Sequence, residues 1–415
     1  MKLAFIFLIC SIFLLFDDLV AAEPVNGVSD GLVILGQSAA FSGPSAALGI
    51  ELWKGAKAFF DETNDHGGIN GRKIEVIALD DSYDAEKALS NTLELVTKDK
   101  VFALFGYVGT PTLVKSLPAI AKFNREENMF LFSNFTGAQP QREPPHDKYV
   151  FNVRSSYRQE TEGLVKNLVK LGHKKIGLFI QNDAYGRSGL DGAKRALNQL
   201  GLQIFAEASY NRGAALSESM NEQVLLLKGA DAIISVSSYQ AAAAFIRDSR
   251  ISGFKGPIAH VSFVGADALL STLVEIQRNE NLPLSSKIIV SQVVPSWKDT
   301  TYPLVKEYQS IMLKHPGNSP LPLKDSTYVG PKMSFNSLEG FLNAKIFIEI
   351  LKRIPPQKLN RRSFQKYAET IHNLEVGIRE KAGFTSTDHQ ALDSVFFTSI
   401  QNDSYEEIKD WSNFK

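Results

Sequence analysis

The residue types that commonly carry chemistry are present but not assembled. His66, His146, His173, His260, His315, His372 and His389 are scattered singly along the chain, without the ligand spacing of a metal site. Each reads as a surface or capping residue. No P-loop lysine signature, strand-following G-x-G-x-x-G, H-E-x-x-H or G-x-S-x-G occurs. Gly186-Arg187-Ser188-Gly189 comes nearest to a nucleophile turn, but its second glycine is misplaced. The paired acids Asp80-Asp81 close a strand-like run. In α/β chains such residues cap the next helix or tie a loop, and no base with a poised partner accompanies them. No catalytic residue, metal or cofactor is therefore predicted, and no enzyme is expected.

Composition narrows the class. Forty-five basic and 45 acidic residues balance, and no basic run offers the footprint that phosphate neutralisation needs, which excludes a nucleic-acid partner. Lys2, the apolar run from Leu3 to Phe16 and the small residues of Val20-Ala21-Ala22 form a signal peptide over 1–22. The run falls short of the ~20 residues a membrane span requires. Cys10, the single cysteine, lies inside it behind Ile9, a poor neighbour for lipidation. The mature chain then has no disulfide and no membrane insertion, and must rely on a packed core. Its length suggests two domains, and its expected location is the periplasm.

The elements that would position a site alternate from Gly31 onward. Leu32–Gly36 and Lys73–Leu79 read as strands, separated by a helix with Leu52, Ala56, Phe59 and Phe60 on one face. Asp84 is a candidate N-cap for a helix over 85–97. Strands follow at 101–105, 129–132, 175–180, 203–208, 232–236 and 258–261, with helices at 160–171, 188–200, 217–227 and 241–249. Crossovers of this length call for parallel pairing, and so many βα units exceed one ordinary sheet. An amphipathic helix is predicted at 337–351, an irregular excursion at 314–332, and a closing hairpin from 391–400 and 405–408. Boundaries fall near 149–154 and 283–287.

Several segments occur in the order and spacing of one family. They are Gly36-Gln37-Ser38-Ala39-Ala40-Phe41-Ser42-Gly43-Pro44, Asn64-x-x-Gly67-Gly68-Ile69-x-Gly71-Arg72, Asp80-Asp81-x-x-Asp84, Gly106-x-x-Gly109-Thr110-x-Thr112 and Asn182-Asp183-x-Tyr185-Gly186-x-x-Gly189. From about Leu32 to the C-terminus the chain resembles the type I periplasmic solute-binding proteins of the leucine/isoleucine/valine-binding group. The resemblance implies two Rossmann-like, doubly wound α/β lobes joined by three crossing segments, with a ligand cleft between them. Lobe 1 would comprise 30–151 plus 287–384, and lobe 2 would comprise 152–286 plus 385–415.

The same resemblance places ligand contacts at Thr110 and Thr112, at Asn134-Phe135-Thr136, at Tyr185, and at Tyr239. Tyr185 reads equally as a core aromatic pinning its turn. Two departures stand out. Leu48 takes the place of an aromatic residue in the first loop, and Ser262, followed by Phe263, takes that of the acid expected to pair with an amino-acid ammonium. A buried ammonium without a carboxylate is costly. The expected ligand is thus a carboxylate or other polar head on an apolar body, unless Asp267 supplies the acid. The implied partner is the membrane permease of an ABC transporter, or alternatively a membrane sensor kinase or cyclase. An exported hydrolase lacks a nucleophile to support it.

Overall fold

The computed structural model describes residues 25–280, 282–317, 328 and 330–415. The predicted signal peptide and much of the predicted 314–332 excursion lie outside them. The chain runs β1 (Leu32–Ala39), α1 (Ala46–Asp65), β2 (Lys73–Asp80), α2 (Ala85–Thr97), β3 (Ala103–Val108), α3 (Thr110–Glu127), β4 (Leu131–Phe135) and β5 (Val150–Phe151). It continues through α4 (Tyr157–Lys170), β6 (Ile176–Gln181), α5 (Ala184–Gln199), β7 (Ala206–Tyr210), α6 (Asn221–Leu226), β8 (Ala232–Val236), α7 (Tyr239–Ile251), β9 (Ile258–His260), α8 (Ala266–Glu280) and β10 (Ile288–Gln292). Then come α9 (Pro303–Lys314), α10 (Phe335–Leu351), α11 (Arg361–Ala368), β11 (Phe396–Gln401) and β12 (Ser404–Glu407).

Two sheets result. One has the order β2-β1-β3-β4-β5, and the other β12-β11-β10-β9-β8-β6-β7. The parallel parts share one plan, since β7-β6-β8-β9-β10 repeats the order of the first sheet. In both the strand order reverses once, between β1 and β3 and between β6 and β8. Ligands of open α/β sheets bind beyond the carboxyl ends of the strands at such reversals. The predicted closing hairpin is present as antiparallel β11 and β12, continuing the second sheet beyond β10.

Local chemistry explains the helix starts. Asp84 accepts from the backbone N–H groups of Glu86 and Lys87 to begin α2. Ser156 and Gln159 form a reciprocal capping box on α4. Three expectations change. Residues 287–292, assigned from sequence to the first lobe, include β10, which pairs in parallel with β9 of the second sheet. The chain therefore leaves that sheet after Gln292. Helix α10, expected to be amphipathic, is buried on nearly all sides, packed on α1 of the first lobe. His173, His260 and His389, expected at the surface, are all buried, and burial holds the His260 imidazole near 3, hence neutral.

Candidate functional site

Crossing segments bring the two sheets together. Asn152 N donates to His389 O at 2.7 Å, and Ala391 N to Asn152 O at 2.8 Å, so two connections run side by side as parallel backbone. Arg142 Nη1 reaches Gln390 Oε1 at 2.9 Å, tying the loop after β4 to the second of them.

The paired aspartates after β2 aim a tyrosine. Ser82 and Tyr83 both adopt left-handed backbone, at φ 51° and 61°, a conformation that ordinary residues avoid. Asp80 accepts from Ser82 N, and Asp81 from Tyr83 N at 2.8 Å. These bonds hold the turn. Asp80 also accepts from Phe41 N and Ser42 N, fixing the loop after β1. Structural tying, as expected from sequence, is what these acids do. Burial lifts the Asp81 carboxyl to about 7 despite the Ser38 hydroxyl it accepts from. Gly109 makes room for the ring, since a Cβ there would lie 2.2 Å from Tyr83 Cε2.

Tyr83 then meets the second lobe. Gln181, at the end of β6, donates to Tyr83 Oη at 3.3 Å. The Phe263 ring, just past β9, sits 5.9 Å from the Tyr83 ring, 5.3 Å from Phe135 and 4.6 Å from Tyr185. Phe135 and Tyr83 belong to the first lobe, Phe263 and Tyr185 to the second. Aromatic rings from four strand ends thus form one buried cluster across the interface. The Tyr185 hydroxyl donates to Ser237 O at 3.3 Å, which satisfies its polar end.

The other predicted contacts divide. Thr110 and Thr136 lie beside the cluster, their hydroxyls 2.6 Å apart. Leu48 and Tyr239 meet across the interface at Gly265, where a Cβ would stand 2.6 Å from Leu48 Cδ2 and 3.9 Å from Tyr239 Cδ1. Thr112 is turned back into its own helix, its hydroxyl bonded to Val108 O and Gly109 O. Asn134 is held by Asn152 and Gln141, towards the crossing.

A charged group that sequence reasoning missed lies beneath the aromatic cluster. Arg154, on the first crossing, is 1% exposed and places its guanidinium 4.8 Å from the Phe135 ring centroid. Its Nη2 lies 3.4 Å from Glu160 Oε1 on α4, and its Nη1 lies 3.5 Å from Glu339 Oε1 on α10. Nη2 also donates to Ser262 Oγ. Nε makes no hydrogen bond among the described residues. Burial works against the arginine charge, but Glu339 and Glu160 outweigh it. Burial lifts Glu339 to about 7 against the pull of Arg154.

The acids around Ser262 are already engaged. Glu160 accepts from Ser262 N at 2.7 Å, Ser262 Oγ at 3.0 Å and Ser291 Oγ at 2.6 Å. Asp267 accepts from Trp297 Nε1 at 3.1 Å and from Phe335 N, across the interface, at 2.8 Å. Elsewhere among the described residues, Glu62, Asp65 and His315 lie close enough to hold a metal ion. Lys314 Nζ stands 2.6 Å from Glu62 and 3.5 Å from Asp65, so ion pairing between α1 and α9 accounts for that group.

Comparison with known proteins agrees with this geometry. The periplasmic binding protein family model matches residues 33–405. The solved structure of a possible leucine/isoleucine/valine-binding protein from Rhodopirellula baltica is 31% identical, with a TM-score of 0.81 over 95% of this chain and 99% of that one. A branched-chain amino acid ABC transporter protein from Thermus thermophilus, solved with bound valine, shares the fold at 15% identity, TM-score 0.78, over 92% of this chain and 97% of its own. An amino acid binding protein from Pseudomonas aeruginosa is 24% identical over 247 residues, 58% of this chain and 63% of its own length. The chain belongs to the periplasmic binding protein family, as a type I member of the leucine/isoleucine/valine-binding kind.

Proposed function

We propose that this protein is an extracytoplasmic receptor that closes its two lobes around a small molecule and presents it to the permease of an ABC transporter. One observation carries the reading. Rings from strand ends of both sheets converge on Phe263, beyond the carboxyl ends of the strands, where open α/β folds bind ligands. Closure around a ligand converts occupancy into a shape that a membrane partner can read. The residues assigned to contact are Leu48, Thr110, Phe135, Thr136, Tyr185, Tyr239 and Phe263, with Tyr83 and Arg154 added. Cleavage after Ala22 and a periplasmic location complete the proposal.

The ligand is proposed to be a carboxylate, or another polar head, on an apolar body. Three features support this. The walls are aromatic, Arg154 supplies a fixed positive charge, and neither Glu160 nor Asp267 retains an uncommitted carboxylate oxygen for an ammonium. An α-ammonium placed there would have to share Glu339 with Arg154, which already faces it, for a counter-charge. A thermal-shift screen of aromatic and aliphatic acids against free amino acids tests the reading, because a native-state binder raises the melting temperature. The acids are expected to stabilise. Calorimetry showing tight leucine binding would overturn the ligand class while leaving the receptor reading in place.

A further inference from the structure

The second lobe carries a cavity far from the interlobe cluster. It opens between α6, the start of β8 at Ile233, and the last turns of α7 with Phe254. Tyr239 and Ser237 lie at the carboxyl end of β8, so this cavity occupies the opposite edge of the sheet. Its volume of about 560 Å³ falls within the range of small-molecule sites. Phe245 and Leu227 form a buried apolar wall, and Leu225 at the mouth is 69% exposed.

Leu226 and Ile251, on the same two helices, are each 61% exposed. Consecutive exposed leucines beside an apolar cavity point to a contact site rather than to ordinary surface scatter. Two polar groups are unused there. Ser249 lines the cavity at 1% exposure, and its Oγ has no hydrogen-bond partner among the described residues. A buried hydroxyl in that state carries a desolvation penalty that a ligand acceptor or donor would remove. Lys228 stands at the rim, exposed, with no ion pair among the described residues.

We propose that this cavity is a second binding site, separate from the cleft, for a small anion with an aliphatic or aromatic body. The apolar wall takes the body, and Lys228 and Ser249 take the charged head. The occupant is a single-chain carboxylate or sulfonate. A cation of the same shape would meet Lys228 and be repelled.

The test uses the fluorescent anion 8-anilinonaphthalene-1-sulfonate on the folded full-length mature protein, with decanoate and decylammonium as competitors. Saturable binding of one dye is expected, displaced by decanoate and not by decylammonium. Lys228→Glu and Leu225→Ser, both exposed changes, should each weaken it at least tenfold, whereas Lys228→Arg should retain it. Ser249→Phe, which fills the cavity, should abolish dye binding, with its fold checked by circular dichroism. Dye affinity unchanged in Lys228→Glu and Leu225→Ser would overturn the proposal. So would displacement by decylammonium, or Tyr185→Ala alone removing the dye, which would place it in the cleft.

Discussion

Phe263, from the second lobe, holds its ring centroid 5.3 Å from that of Phe135 in the first. The two lobes therefore touch through side chains rather than backbone at this point, and the contact can separate without breaking either sheet. Truncating such a ring removes both packing and the surface that a ligand would displace or share. Phe263→Ala is expected to reduce affinity for the best acid ligand by at least tenfold in calorimetry. Tyr185→Ala should abolish binding with far-UV circular dichroism unchanged. Tyr185→Phe removes only the bond to Ser237, costing about 1 kcal/mol of stability, and should bind nearly normally.

Arg154 holds two buried acids together. Arg154→Ala leaves Glu160 and Glu339 facing each other without a cation, which should destabilise the fold by about 3–5 kcal/mol. Adding Glu339→Gln removes one of the stranded charges and should recover much of that stability in urea unfolding. Acid-ligand affinity should not recover with it. Recovery of both would show that Arg154 serves the fold alone.

Stability should fall as pH rises. Burial lifts Asp81 to about 7, Glu339 to about 7 and Asp267 to about 6, from ordinary values of 3.8, 4.5 and 3.8. The folded chain binds these protons more tightly than the unfolded chain does. The stabilisation they give is therefore complete below about pH 4 and lost progressively towards pH 7. Asp80, held low by its hydrogen bonds, opposes this only below its ordinary range, and the buried neutral His260 opposes it up to about pH 6.5, where three acids against one imidazole still leave a net decline. The melting temperature is expected to decline between pH 5 and 8. Asp81→Asn keeps an acceptor for Tyr83 N, and should make the decline shallower.

Gly265 lets the two lobes approach closely at Leu48. It sits at φ 77°, and an added Cβ would lie 2.6 Å from Leu48 Cδ2 across the interface. Gly265→Ala should weaken ligand binding at least tenfold while each lobe remains folded. Leu48→Ala, which clears that space, should restore part of the affinity in the double variant. No rescue would mean that the positive φ, and not the contact, is what the glycine supplies.

The strands were legible because each is a short apolar run bounded by turn residues, and the repeated βα alternation leaves little choice but parallel sheets. Helix α3 was not legible: Pro111 and Pro118 interrupt its pattern, yet the first sits in the opening turn and the second is absorbed by packing. The crossing after β10 was misplaced because Pro283 to Lys287 signals a turn, and the sequence holds no sign that one more strand precedes the change of lobe. Thr110, Phe135, Tyr185 and Phe263 could be named from motif positions after strand ends. Arg154 could not. Its partners Glu160, Ser262 and Glu339 come from three distant segments, and only the folded chain brings them within hydrogen-bond reach.

Closure itself is the most direct thing to measure. Spin labels on Glu86→Cys and Arg187→Cys would report the distance across the cleft mouth, and Cys10, the sole native cysteine, lies in the segment assigned to the leader. With the acid of largest thermal shift added at saturation, the distance distribution should shorten and narrow. An identical distribution with and without that acid would contradict a receptor that works by closing.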